Sequence, residues 1–268
     1  MQTRYDLIWQ NRLVLPHHDY FENRFEKPVA FDFDDAIWIN EGRKQVENAI
    51  GKASVIFAGN EFLANFAANY NKNIQLVPTT VDTEIIKPLR RKDRPFTLGW
   101  IGTKSNFEWL ELIKQPVLDF LSANNDTRFV IVSSGKPSLF NFDEKKIIFM
   151  PWDKEKENEL INEFDVGLMP LDDNEWTRGK CSYKMLQYLA AGKPAIVSPV
   201  GNNNKIIAQL PIKFKVTDSG SWLKTFKQLK ADSALYDACS KNGRKLVEEN
   251  YSCKVWSPKI ITLFRNIS

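Results

Sequence analysis

Short apolar runs alternate with helix-patterned segments along the whole 268-residue chain, and this alternation restricts the fold more than any other feature. Tyr5–Gln10 (YDLIWQ), Pro28–Phe33 (PVAFDF), Val55–Ala58 (VIFA) and Ile74–Val77 (IQLV) read as strands. Glu41–Lys52 and Glu61–Tyr70 read as helices among them, the second with Phe62, Leu63, Phe66 and Ala67 on one face and Asn60 as its N-cap. The pattern then restarts, with strands expected at Thr97–Ile101, Arg128–Ser133, Lys146–Met150, Val166–Pro170, Ala195–Ser198 and Lys213–Val216. Helices are expected over Glu108–Asn124 (interrupted or kinked at Pro116), Lys154–Phe164, Cys181–Ala191 with Gly192 at C′, Ser221–Lys230, Ser233–Asn250 and Lys254–Asn266, the last broken near Pro258. Strands separated by helices form parallel sheets covered on both faces. The expected class is α/β with two parallel-sheet units, the N-terminal one incomplete because it lacks the Gly-rich opening strand and turn.

Lys87 to Arg94 carries five cations, is marked as linker-like by Pro88 and Pro95, reads as a solvated connection, and sets the expected boundaries: a partial unit over 1–95, a complete one over 96–250, and a final helix over 251–268. A net charge of +4 suits an anionic small molecule or an anionic membrane surface, and no dense Lys/Arg block points to nucleic acid. Cys181, Cys239 and Cys253 are odd in number and widely spaced, which implies neither a disulfide framework nor a metal site. His17 and His18 are the only histidines, too few for a His-based metal site. No apolar run approaches the roughly 18–20 residues of a membrane span. The N-terminus MQTRYDLIWQNR lacks the features of a secretory signal, so the expected compartment is the cytoplasm.

Ligands of open parallel sheets bind beyond the carboxyl ends of the strands. Three loops there stand out. Gly102-Thr103-Lys104-Ser105-Asn106 ends a buried strand and opens a helix, so its backbone N–H groups can face a phosphate, although strand–helix geometry alone explains such a turn equally well. Met150-Pro151-Trp152-Asp153 places a Trp either against a flat base or against the neighbouring helix. The third loop, Asp172 to Gln187, holds Arg178, Lys180 and Lys184 at a helix start. Read as one helix face, Lys180 and Lys184 aim at one anion, and Arg178 adds a forked donor. Cations at a helix start as apolar as this one need a counter-anion. A fourth signal, Phe31-Asp32-Phe33-Asp34-Asp35, sets three carboxylates at the end of a strand. It admits a Mg²⁺-dependent haloacid-dehalogenase-like phosphatase using Asp32 and Asp34, although Asp35-Ala36 stands where a Thr or Val should follow.

Several segments, in order, resemble the family 4 glycosyltransferases, whose GT-B architecture pairs two Rossmann-like domains. LVPTTVDTEIIKP from Leu76 resembles the interdomain signature, and LGWIGTKSNFEWL the first strand and donor loop of the second domain. WTRGKCSYKMLQYLAAGKPAIVSPVG and FDFDDAIW resemble one subgroup, which weakens the phosphatase reading. The resemblance implies a retaining, metal-independent transfer of a sugar from a nucleotide-sugar to a saccharide or lipid-linked acceptor, in glycan or cell-surface polysaccharide synthesis, with no cofactor. The protein would lie in the cytoplasm or peripherally at the inner membrane face. Arg178, Lys180 and Lys184 would offset the charge of the departing diphosphate. Gly102, Thr103, Lys104, Asn106, Met150, Trp152, Gln187 and Gly201 would bind the donor, and His17, Asp34 and Asp35 would lie on the acceptor side.

The chain departs from that family in two ways. Many members carry two Glu eight positions apart on the donor helix; here Gln187 holds the second place and the first falls near Gly179. Full-length members also have about a hundred further residues ahead of YDLIWQ, the size of the missing part of an α/β domain. That shortening leaves a second reading, a nucleotide-sugar-binding fragment or partner subunit without catalysis of its own.

Overall fold

A computed structural model describes residues 5–18, 20–90, 93–142, 145–214 and 216–267. Its first elements are β1 (Ile8–Asn11), β2 (Val29–Phe33), α1 (Arg43–Lys52), β3 (Val55–Ala58), α2 (Glu61–Ala67) and β4 (Ile74–Leu76). Then follow β5 (Phe96–Ile101), α3 (Glu111–Ala123), β6 (Thr127–Ser133), β7 (Ile147–Pro151), α4 (Glu157–Asn162) and β8 (Val166–Met169). The chain continues with α5 (Glu175–Gly179), α6 (Tyr183–Ala190), β9 (Ala195–Val197), α7 (Asn202–Gln209), α8 (Ser219–Ala231), α9 (Ser233–Asn250) and α10 (Cys253–Arg265). They form two compact units: Met1–Thr80 with Asp173–Cys181 and Cys253–Ser268, and Val81–Asp172 with Ser182–Ser252.

In the first unit β1 to β4 pair in sequence order, all parallel, with Ile8 opposite Val29 and Ala30 opposite Val55. Neighbouring residues on a strand face opposite sides. Phe31 and Phe33 accordingly bury one face against Ile37, Trp38, Val46 and Ile50, while Ala30, Val55 and Phe57 bury the other against Trp256, Ile260, Leu263 and Phe264 of α10. Asn60 caps α2 as its sequence position predicts, its Oδ1 accepting from the Leu63 N–H at 3.0 Å. Its Nδ2 donates to the Gly179 carbonyl at 2.8 Å, which draws the short α5 onto this unit.

The second unit carries a five-stranded parallel sheet in the order β7-β6-β5-β8-β9. Leu98, Trp100, Phe129, Ile131, Val166, Leu168 and Ile196 pack with Ile113, Val117 and Phe120 of α3 and with Trp222, Phe226 and Leu229 of α8. On the other face, α6 approaches β8 closely: a Cβ on Gly167 would lie 2.2 Å from the Tyr188 ring. Successive strands are added on one side of β5 and then on the other, so the crevice for ligands opens at its carboxyl end.

Several sequence expectations are corrected. The basic segment does not form a free connection: the Lys87 and Leu89 N–H groups donate to Asn158 and Asn162 Oδ1 at 3.0 Å each, and Arg94 meets Asp165 at 2.7 Å in a buried ion pair. The division therefore falls between Thr80 and Val81, and Arg91 and Lys92 lie outside the described residues. Lys213, Phe214 and Val216 form no strand, Lys215 lies outside the described residues, and among the described residues the second sheet has five strands where about six were expected. The helices α3 and α10 run through Pro116 and Pro258 without a break.

The helix expected from Cys181 begins only at Tyr183. Ser182 sits in the left-handed region, φ 63°, and its Oγ donates to Asn203 Oδ1 at 2.7 Å. Lys180 closes α5 instead, so Lys180 and Lys184 do not share a helix face.

Candidate functional site

The carboxyl ends of β5, β6 and β7 and the first turns of α6 enclose a cavity of about 250 Å³ within the second unit. From β5 and the loop after it come Ile101, Gly102, Thr103 and Asn106; from the turn after β6 comes Ser134. Trp152 and Glu157 follow β7, and Tyr183, Lys184 and Gln187 project from α6.

Each wall has a local cause. A Cβ on Gly102 would fall 2.6 Å from the Trp100 ring and 2.7 Å from Lys184 Cε, so only Gly admits the lysine stem here. The Lys184 ammonium lies 6.0 Å from the Trp100 ring centroid, within range of a cation–π attraction. Asn106 Nδ2 donates to Thr103 Oγ1 at 3.1 Å, which shapes the turn after β5. The Trp152 indole N–H donates to Glu157 Oε1 at 3.0 Å, and the Trp152 backbone N–H donates to the Ser133 carbonyl at 2.9 Å.

Gln187 is only 2% exposed, yet its Nε2 has no hydrogen-bond partner, and Ser133 Oγ at the end of β6 is equally buried and unpartnered. Leaving such groups unpaired is costly, on the order of 1–3 kcal/mol each, unless a ligand or water completes them. A site with a cation at one wall, an unpaired amide at its floor and an aromatic ring at its rim can hold a molecule that is anionic at one end and flat at the other.

The sequence-predicted residues divide. Gly102, Thr103, Asn106, Trp152, Lys184 and Gln187 line this one cavity. Lys104 lies against Gly135, whose Cβ would fall 2.5 Å from Lys104 Cε. Met150 belongs to β7, and Gly201, at φ 50°, precedes α7. None of these three lines the cavity. Ser134, Glu157 and Tyr183 were not foreseen; the signal available was position, since each stands next to a strand end or helix start already singled out.

The remaining residues belong to the first unit. Arg12 bridges Asp34 at 3.0 Å and Asp35 at 2.7 Å and reaches Glu41 at 3.7 Å, while Lys180 lies 3.9 Å from Asp35. His17, at φ 64°, donates its backbone N–H to the Glu41 carbonyl at 2.6 Å. Burial raises the Asp35 carboxyl, with Lys180 opposing it, and burial lowers the Lys180 ammonium. Arg178 forms an exposed two-pronged bond with Asp173, at 2.6 and 3.2 Å. The counter-anions that the sequence demanded for Lys180 and Arg178 are therefore carboxylates of this chain. Asp32, the supposed phosphatase nucleophile, accepts from Trp9 Nε1 at 3.0 Å, and Asp34 is occupied by Arg12.

A larger depression of about 800 Å³ opens at the amino ends of β5, β6 and β8. Its cations are already paired, Arg94 with Asp165 and Lys230 with Asp126 at 3.0 Å, and the carboxylates of Asp93 and Asp237 also line it, so it disfavours an anion and the smaller cavity is the better site for one.

No curated protein matches the sequence. Sucrose-phosphate synthase from Thermosynechococcus elongatus superposes with a TM-score of 0.74 at 13% identity, over 98% of this chain and 74% of that one. HepE from Anabaena, in complex with UDP and glucose, gives 0.71 at 12% identity, over 98% and 79%. The C-terminal domain of the group 1 glycosyl transferase LpcC from Francisella tularensis gives 0.51 at 19% identity, over 65% and 99%. The shared architecture is the two-sheet α/β fold of GT-B glycosyltransferases. The profile of the family described as "Glycosyl transferases group 1" matches residues 95–232, slightly more than half of the chain and the whole of the cavity's lining. This displaces the phosphatase reading, and the chain belongs to the group 1 glycosyl transferases.

Proposed function

We propose that the chain transfers a sugar, with retention of anomeric configuration, from a nucleotide-sugar to a saccharide or lipid-linked acceptor in surface-glycan synthesis, as a member of family 4. The observation that carries this is the cavity at the carboxyl end of β5, with Lys184 on one wall and the unpartnered Gln187 amide at its floor. Its lining falls wholly within the family match, and the neighbour HepE holds UDP and glucose.

In this reading Lys184 and the first turn of α6 meet the diphosphate. Gly102 and Thr103 admit it close to the backbone, Gln187 pairs with a ribose hydroxyl, and Trp152 flanks the base. As the glycosidic bond lengthens, negative charge gathers on the leaving diphosphate, where a fixed ammonium stabilises the transition state more than the ground state. A cation supplied by the protein serves where a metal otherwise would, so no cofactor is required. The polar Arg12–Asp34–Asp35 cluster, with His17 near it, is the acceptor-side surface of the first unit; Arg178 and Lys180 of the same unit pair with Asp173 and Asp35. No helix among the described residues is long and apolar enough to cross a membrane. We place the protein in the cytoplasm, where its net charge of +4 favours peripheral contact with an anionic inner membrane face.

Calorimetric titration of nucleoside diphosphates into the purified chain tests this. Binding is expected, and Lys184→Ala should weaken it about ten- to a hundredfold, the effect of losing one charge-assisted contact. An unchanged dissociation constant would remove Lys184 from the site. Binding without turnover of any nucleotide-sugar would leave the partner-subunit reading standing in place of the enzyme.

A further inference from the structure

The cavity is bipolar, and its far end is not explained by a diphosphate. Two strand spacings, about 10 Å, separate β7 from β5. Lys184 stands at the β5 side, while Glu157 and Trp152 stand at the β7 side. Glu157 is half-buried, and its Oε1 accepts from the Trp152 indole N–H. That bond fixes the carboxylate against the aromatic wall. Among the described residues Oε2 has no hydrogen-bond partner and no cation pairs with Glu157. A carboxylate only accepts hydrogen bonds, so a ligand end placed here must donate.

We propose that Glu157 reads the nucleobase and that the base it selects is guanine; this rests on the nucleotide-sugar reading above. With the phosphates at Lys184, the base falls at the β7 side, beside Trp152. Uracil offers one ring N–H between two carbonyl oxygens, and both carbonyls oppose a carboxylate. Adenine and cytosine each offer an amino group next to a ring nitrogen that also accepts. Guanine alone of the four presents two adjacent donors, N1–H and the N2 amino group, which match the two oxygens of one carboxylate. A site that must receive donors disfavours a base lacking them, because the half-buried carboxylate then loses water without gaining a donor. The selected donor is thus a guanosine-diphosphate sugar.

Calorimetry of the full chain with GDP, UDP, ADP and CDP decides the matter. GDP should bind at least tenfold more tightly than UDP. Glu157→Gln keeps an acceptor for Trp152 but turns one oxygen into a donor, and it should reduce the GDP-to-UDP ratio about tenfold or more. Lys184→Ala should weaken all four ligands and leave the ratio unchanged. UDP binding as tightly as GDP, or an unchanged ratio in Glu157→Gln, overturns the base assignment while leaving the diphosphate site intact. Failure of all four ligands to bind overturns the site itself and this inference with it.

Discussion

Asp32 is held where its carboxyl is pushed up to about 6, chiefly by burial and further by Asp34, against the opposing hydrogen bonds from Trp9 and Asn11. The unfolded chain, with an ordinary carboxyl at 3.8, then releases its proton before the native state does. Between about pH 4 and 6 the native state holds the extra proton, so stability falls as pH rises through that window and levels above it. Asp32→Asn keeps an acceptor for the Trp9 indole and abolishes the titration. It should stabilise the chain at pH 7.5 by on the order of 1–3 kcal/mol, seen as a rise of several degrees in Tm, and add little at pH 3.5. An equal gain at both pH values would assign the effect to something other than charge. The residue scale is also where the sequence misleads: Asp32, Asp34 and Asp35 look alike as letters. One is bound by an indole, one shares Arg12, and one lies between Arg12 and Lys180. Those partners are distant in sequence and cannot be read from the strand that carries the three.

At the scale of elements, signals that act locally were legible and those that act over distance were not. The Asn60 cap and Gly192, at φ 66°, stand where the sequence puts them, since each needs only its own helix. The break at Lys180–Ser182 depends on Asn203, a residue of another helix, and so a single helix was expected. The short α5 does carry a local sign, the Asn174–Thr177 capping box. The cavity itself is opened by a second long-range device. The β5–β8 ladder pairs only Leu98 with Val166 and Gly99 with Gly167. Beyond it the Tyr188 hydroxyl accepts from the Ile101 N–H and donates to the Leu168 carbonyl, both at 3.1 Å, and so replaces a rung of the sheet. Tyr188→Phe leaves both buried backbone groups unpaired. The second unit should lose about 1–3 kcal/mol in urea unfolding. Nucleoside-diphosphate affinity should fall as well, because Ile101 leads directly into Gly102. Loss of stability with unchanged affinity would show that the hydroxyl supports the sheet but not the site.

On the scale of the whole molecule, the chain passes between the two units at Thr80/Val81, Asp172/Asp173, Cys181/Ser182 and Ser252/Cys253. The first unit is therefore complete only when its last segment has been made. One face of its sheet, Ala30, Val55, Phe57 and Val77, is covered by Trp256, Ile260, Leu263 and Phe264 of α10. Phe264 also meets Trp9 at 5.1 Å and Phe57 at 5.5 Å between ring centroids. The second unit has its own core, in which, among the described residues, no side chain of α10 is included. Separate cores should give two calorimetric transitions on heating. A chain ended at Ser252 uncovers several large apolar side chains at once, each contributing about 1.5–3 kcal/mol by burial, more than a marginally stable unit can lose. The transition of the first unit should disappear in that variant. The transition of the second should remain within a few degrees, because the Val81 N–H bond to the Tyr251 carbonyl at 2.9 Å is retained. Nucleoside-diphosphate binding should survive with it, since every residue lining the cavity lies in the second unit. If binding is lost while the second transition persists, the first unit contributes directly to holding the nucleotide, and the assignment of the donor site to the second unit alone is wrong.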